Sequence, residues 1–546
     1  MKKIRFDLKR FKHIFRTLVK PGKASEIVLT PRYRLVSYHA SGIVTSGRVL
    51  KSYRCGIDDM ATVFIVDVGD EIRYVVDEPT PSEWVRKIYP MVMDHIAFTA
   101  PPLERYENPM DFVRNLVMEA VEELGVADIL GPDTKVLMYY VLRDVVGYGY
   151  ADVPIRDPNV EEVGFVGPGS PVQVVHRDVA DQLWINTNIT IPTEDEAARY
   201  VQRLAQKCGR YISTAFPMLE APSPEKHRIA LNLADISGRG SGFVIRKFPE
   251  NPYPITKLIE FGTITPLIGA YSWFLIEHNA FIMIVGAMAS GKTTMLNVLL
   301  STVRPDAHIC TIEDVPELRL PHPGWDPLYT RRGYTIGSSL DIGLFDLAKF
   351  ALRRRCQIIA IGEVRGKEIQ VLIQAAATGH GAACTFHAGS IEEMVSRMTS
   401  PPLNVGPSYI RTMWSVVLMQ RTKVRDKAVR RARFVWEILP EKLDSDPLNR
   451  KVEIVSPRFR DEIWYRIVFE WDPRTDSFYP DTVDELIKRS YRLKYVAKMM
   501  GYDLSDVARD IEERAKFLEQ LTKEKVFDWD RIFQEMKRFY ARRRFS

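Results

Sequence analysis

Gly286, Ala287, Met288, Ala289, Ser290, Gly291, Lys292 and Thr293, followed by Thr294, spell a glycine, four variable residues and Gly-Lys-Thr-Thr. The apolar run FIMIV precedes them and the helical pattern KTTMLNVLLSTV begins inside them. Strand, glycine loop and helix in that order make a phosphate cradle. Glycines let the backbone close on a polyphosphate, and the helix N-terminus points N–H groups at it. In this reading Lys292 reaches the β- and γ-phosphates and Thr293 ligates Mg²⁺. A second apolar run, QIIAIGEV, ends at Glu363. A carboxylate at the C-terminal end of such a strand orients attacking water or assists the metal. A third strand pattern, HICTIED, leads into Glu313, Asp314 and Glu317, and ATGHGAACTFHA holds His380 and His387.

Elements of mixed type must position these groups. From about residue 255 to 434, helix, apolar strand and glycine loop alternate as in an α/β domain. Before it, residues 101–248 read as an α+β domain. Helical patterns run from Asn108 to Glu123, Lys135 to Val146 and Thr193 to Cys208, with strands at EEVGFVG and PVQVVHRD. The prolines of PENPYP mark a linker at 249–254. Residues 435–546 read as a strand region, including EIWYRIVFEWD, followed by two or three polar helices. Residues 1–100 form a separate N-terminal region with short strand patterns such as ATVFIVDVG.

Composition sets the outer limits. The 546 residues are 46% hydrophobic and 27% charged, ordinary values for a globular chain of several domains. The most apolar stretch, Pro266 to Ala289, is broken by Glu277, His278 and Asn279, so no membrane-spanning helix is expected. Of the net charge of +6, residues 1–20 contribute +7, which leaves the body near neutral. A chain-wide nucleic-acid surface is therefore not expected. The same twenty residues place Ile4, Leu8, Phe11, Phe15 and Leu18 on one helical face among basic residues. Such a helix suits an anionic membrane surface or a partner, or packs on its own domain. The five cysteines form no CxxC pair, which speaks against a disulfide framework or a four-cysteine zinc site and fits a reducing cytoplasm. His380, Cys384 and His387 have a spacing that would suit zinc on a helix, but they supply only three ligands.

The order of phosphate cradle, acidic box, Glu-ending strand and histidine box resembles the secretion ATPase superfamily, the ring motors of type II and type IV secretion, type IV pili and archaella. RDVVGYGYADVPIRDPNVEEVGFVGPGSPVQVVHRD, GFVIRKF, AYSWFLIE, TIEDVPELRLPHPGW and FEWDPRTDSF look like its archaeal branch, over about residues 100 to 546. The resemblance implies a RecA-like P-loop ATPase domain after an α+β N-terminal domain, with a helical C-terminal extension. It implies ATP and Mg²⁺ as cofactors, with Thr293, Glu313 and Glu363 toward the metal. Glu313 would help place water or Mg²⁺ beside Glu363. His380 and His387 would sense the γ-phosphate or couple it to a subunit boundary. Arg228 and Arg246 would reach the phosphates from the N-terminal domain.

The implied partners are further copies of the chain, as a hexamer, and a polytopic membrane platform protein. The implied place is the cytoplasm, at the inner face of the membrane. Two departures stand out. Ala287-Met288 replaces the Gly-Thr that this branch favours, and RRRCQII, with Arg353, Arg354 and Arg355, replaces an Arg-Pro-Asp-Arg pattern. The alternatives are a nucleic-acid-translocating motor, which would need a basic channel or stacking aromatics, and a scaffold that binds nucleotide without hydrolysis. Retention of Lys292, Glu313 and Glu363 speaks against the scaffold.

Overall fold

A computed structural model describes residues 33–99, 108–179, 184–248, 252–331, 341–424, 427–443, 447–455 and 458–544. The basic helix expected over residues 1–20 lies outside the described residues, as do 249–251 of the expected linker. The chain divides into two compact units. One comprises residues 1–157, 169–174 and 185–191, and the other comprises the remainder.

In the first unit, β1 (Arg48–Cys55), β2 (Ala61–Asp67) and β3 (Ile72–Asp77) form an antiparallel meander. The strand β6 (Ile185–Thr190) then pairs parallel to β3 and antiparallel to β5 (Pro171–His176). That long-range pairing takes residues 185–191 into this unit. Helices Glu83–Thr99, Pro109–Glu123 and Thr134–Val145 share an apolar core that includes Val85, Val117 and Leu137. The Asn108 side chain accepts from the Asp111 amide and Pro109 opens the second of these helices, so the N-terminal end is fixed locally.

In the second unit, β4 (Val160–Phe165), β7 (Met218–Pro222), β8 (Arg228–Asn232) and β9 (Gly242–Arg246) make an antiparallel sheet ordered β4-β9-β8-β7. Helix Glu194–Lys207, capped by Thr193, packs Tyr200 on Phe243 at 5.4 Å. This sheet carries Arg228 at the start of β8 and Arg246 at the end of β9, in direct register with each other.

The larger sheet of this unit holds the central chemistry. Its parallel part is β10 (Phe281–Gly286), β11 (Ile309–Glu313), β12 (Trp325–Tyr329), β13 (Ile358–Ile361), β14 (Gly381–Phe386) and β15 (Ser415–Val424), ordered β12-β11-β13-β14-β10-β15. β16 (Lys427–Ile438), β17 (Asn449–Val455), β18 (Arg460–Asp472) and β19 (Ser477–Tyr479) extend it antiparallel. The central strands β10, β11, β13 and β14 are buried along their whole length. Ile282 and Ile284 enter one core and Phe281, Met283 and Val285 the other, the period of two expected of a strand covered twice.

One core is closed by helices Pro266–Glu277 and Lys292–Ser301 with helices from the C-terminal region. Four helices, Val483–Arg489, Tyr491–Met500, Leu504–Lys523 and Trp529–Arg544, follow the last strand, more than the two or three expected. Trp273, fully buried, lies beneath the Arg514 guanidinium at 4.4 Å and against Phe539 at 4.9 Å. Among the described residues no helix is long and apolar enough to cross a membrane.

Candidate functional site

The C-terminal ends of the central parallel strands converge on a cleft. Its lining includes Met288, Ala289, Lys292 and Thr293 from the glycine loop, Glu313 at the end of β11 with Glu317 after it, Glu363 and Arg365 after β13, and His387 after β14. Arg228 and Arg246 come to the same cleft from the smaller sheet.

The loop conformation is set by two glycines. Gly286 has φ +155, and a Cβ there would meet the Met419 carbonyl oxygen at 2.4 Å. Gly291 has φ +94 and caps helix Lys292–Ser301. Both are positions where a side chain would be strained or would clash. The lysine that follows folds back, and Lys292 Nζ donates to the Ala287 carbonyl at 2.8 Å. Burial lowers its pKa to about 8, and the nearby Glu363 partly offsets this.

His387 joins the two halves of the cleft. Its Nδ1 is 3.5 Å from Lys292 Nζ and its Nε2 is 2.9 Å from Glu363 Oε1. Burial and the Lys292 charge hold the ring's pKa below the ordinary value. The two contacts fit a neutral ring that donates from Nε2 to the carboxylate and accepts at Nδ1. Burial pushes the Glu363 carboxyl up, but the Arg365 hydrogen bond and the charges of Arg365 and Lys292 outweigh it and leave the pKa low. Glu363 is therefore an ionised, oriented carboxylate.

Glu313 has the opposite character. It is 3% exposed, and burial pushes its pKa up to about 8, despite amide donors at Glu317 (3.0 Å) and Leu318 (2.9 Å). Both amides bond Oε1, while Oε2 is buried with no hydrogen-bond partner. A buried carboxylate oxygen left without a donor at the wall of a cleft suits a cation. Gly362 makes room for it, since a Cβ there would lie 3.0 Å from Glu313 Cγ. With Thr293 and Glu363 on the same cleft, the residues present fit a hard cation held beside a polyphosphate.

Most of the residues expected from the sequence meet here. Arg246 approaches Glu317 at 4.0 Å and Glu162 at 3.9 Å, and Arg228 pairs with Glu220. His380 does not join them. It precedes β14, bonding Thr378 at 3.3 Å, while His387 follows the same strand. The six residues of β14 separate the two histidines by seven steps, about 23 Å at the usual strand rise. The zinc spacing of His380, Cys384 and His387 fails for the same reason: the segment is a strand, not a helix, and Cys384 is fully buried within it.

Three contributors escaped the motif reading. Arg365 donates to Glu363 Oε2 at 2.5 Å, Thr385 donates to the Gly362 carbonyl at 2.6 Å, and Arg430 on β16 donates to the Ala289 carbonyl at 3.1 Å. The first two sit inside EVRG and CTFH and were open to notice. Arg430 had no local signal, because only the β15–β16 pairing brings it to the loop.

The profile of the family described as "Type II/IV secretion system protein" matches residues 175–443. An uncharacterized protein of Methanocaldococcus jannaschii is 32% identical over 494 residues, covering 86% of this chain and 85% of the relative. The type IV secretion system protein PtlH of Bordetella pertussis is 30% identical over 218 residues, covering 36% of this chain and 64% of PtlH. Among solved structures, the VirB11 ATPase of the Brucella suis type IV secretion system aligns at 23% identity and a TM-score of 0.26, covering 52% of this chain and 90% of that one. The chain belongs to the type II/IV secretion ATPase superfamily and has archaeal relatives.

Proposed function

We propose that this protein is a Mg²⁺-dependent ATP hydrolase that converts nucleotide turnover into work on a membrane-embedded assembly, extruding a pilus-like or archaellum-like filament or a secreted substrate. The observation that carries this reading is the single cleft in which the Lys292 loop, two unlike carboxylates and two arginines from a separate sheet face one another. A nucleotide switch needs the loop alone, whereas hydrolysis also needs a carboxylate held ionised to orient water, and Glu363 has that character.

In this reading Lys292 and the loop amides bind the phosphates. Thr293, Glu313 and Glu363 would hold the cation, whose charge screens the phosphate oxygens. Glu363, fixed by His387 and Arg365, orients the attacking water. Arg228 and Arg246 neutralise charge that develops on the transferred group. Because both arginines lie on the smaller sheet, phosphate binding would draw that sheet toward the loop and phosphate release would free it.

The family supports a ring of identical chains, with a hexamer as the form to look for, working against a polytopic membrane platform from the cytoplasmic side. Residues 1–20 would add contact with anionic lipid. His380, outside the cleft of its own chain, is the candidate for contact with a neighbouring copy.

The test is steady-state ATP turnover by the purified chain beside Glu363→Gln, with oligomeric mass measured with and without ATP. Turnover that collapses in the variant while ATP binding and a nucleotide-favoured hexamer persist supports the motor. Binding without turnover in the wild type, with Mg²⁺ and anionic lipid present, favours a scaffold. Turnover that appears only with DNA overturns the secretion reading.

A further inference from the structure

Three potential metal ligands meet in the large sheet, away from the cleft. Cys310 lies on β11, Asp326 on β12 is its direct register partner, and Cys356 stands just ahead of β13. One ligand atom from each lies within 4.8 Å of the others. Both thiols are buried, Cys310 at 0% and Cys356 at 4% exposure, in the core that also holds Ile312, Ile359 and Ile361. The Arg354 guanidinium donates to Asp326 Oδ2 at 2.7 Å.

We propose that Cys310, Asp326 and Cys356 form a binding site for a thiophilic divalent cation, with zinc the best fit. Tetrahedral zinc holds thiolates at about 2.3 Å, which places two of them about 3.8 Å apart. The three ligand atoms, all within 4.8 Å of one another, are near that spacing. Soft thiolates beside one carboxylate select zinc over the hard cation suited to the cleft.

The charges also balance. Two thiolates and a carboxylate bring three negative charges, and a divalent cation with Arg354 brings three positive. Arg354 then makes the outer contact that orients a ligating carboxylate. A fourth position is left for water. The site would staple β11, β12 and β13 at the end opposite the cleft. Two of these strands lead directly into Glu313 and into Gly362-Glu363. The metal's role is thus to hold register in the sheet that aims both carboxylates, not to take part in chemistry.

The test uses the full chain, purified with reductant and chelator and then titrated with Co²⁺. The expected result is a thiolate-to-cobalt charge-transfer band that is displaced by stoichiometric zinc. The band should be lost in both Cys310→Ser and Cys356→Ser, yet kept when Cys55, Cys208 and Cys384 are all replaced by serine. Asp326→Asn leaves the buried thiols in place, and it should weaken cobalt affinity at least tenfold while thermal unfolding stays cooperative. A wild-type chain that gives no band and retains no zinc overturns the site, as does a band that persists in both cysteine variants. A chain that binds no metal but links Cys310 to Cys356 on mild oxidation also overturns it, and identifies a redox pair instead.

Discussion

His387 Nε2 lies 2.9 Å from Glu363 Oε1, so the carboxylate at the end of β13 is held by the residue that follows β14. The neighbouring strand fixes the orientation that the Glu363 backbone alone would leave free. Replacing His387 by Ala should lower turnover about 10²-fold, the usual cost of misplacing a reacting group by a small distance. Nucleotide affinity should change little. Turnover and equilibrium nucleotide binding, measured side by side, check this, and an equal loss in both would place His387 in binding rather than in orienting Glu363.

Glu313 should leave a pH signature. Its folded pKa, about 8, is above that of the unfolded chain, so the folded state holds an extra proton between roughly pH 4.5 and 8. That contribution to stability is complete below the unfolded pKa and is lost as pH rises toward 8. The melting temperature of the wild type should therefore fall, relative to Glu313→Gln, across this window in the absence of divalent cations. Parallel stability curves for the two proteins would show that burial does not shift Glu313.

Arg246 and His380 separate two expectations that the sequence placed together. Arg246 lines the cleft and His380 stands at the far end of β14. Arg246→Ala should cost about 10²–10³-fold in turnover, as for other groups that stabilise developing charge. His380→Ala should leave nucleotide affinity within about twofold, because a half-buried residue outside the cleft contributes little to binding there. A His380 variant that loses affinity as Arg246→Ala loses turnover would return His380 to the cleft.

Gly286→Ala places a methyl against the Met419 carbonyl at 2.4 Å, where two backbones meet and neither can turn aside. The expected cost is about 1–3 kcal/mol in stability, together with loss of nucleotide binding as the loop shifts. Chemical denaturation and a fluorescent-nucleotide titration measure the two effects.

Trp273→Ala tests the tie between the C-terminal helices and the nucleotide-binding sheet. The ring is fully buried beneath Arg514 and beside Phe539. Removing it should destabilise the protein by about 3–5 kcal/mol and expose helix Trp529–Arg544 to limited proteolysis. Retention of both stability and protease resistance would mean that these helices dock independently of Trp273.

The sequence by itself determined what depends on near neighbours. Glycine spacing between an apolar strand and a helix specifies the phosphate loop, because a few consecutive φ values and a helix N-terminus make the cradle. Apolar runs that end in Glu313 and Glu363 placed those carboxylates at strand ends, since parallel strands buried on both faces must be continuously apolar. Tertiary structure decided the rest. The motif ATGHGAACTFHA presented two histidines as one box, but its middle forms β14 and only His387 reaches the cleft. The scattered cysteines gave no metal pattern, yet β11 and the approach to β13 bring Cys310 and Cys356 together across 45 intervening residues. Arg430 reached the loop through a hairpin partner, and residues 185–191 joined the first unit through a parallel pairing with β3. The histidines are parted by the length of the strand between them; in the other three cases strand pairing joins residues distant in the chain, and local periodicity does not encode which strands become neighbours.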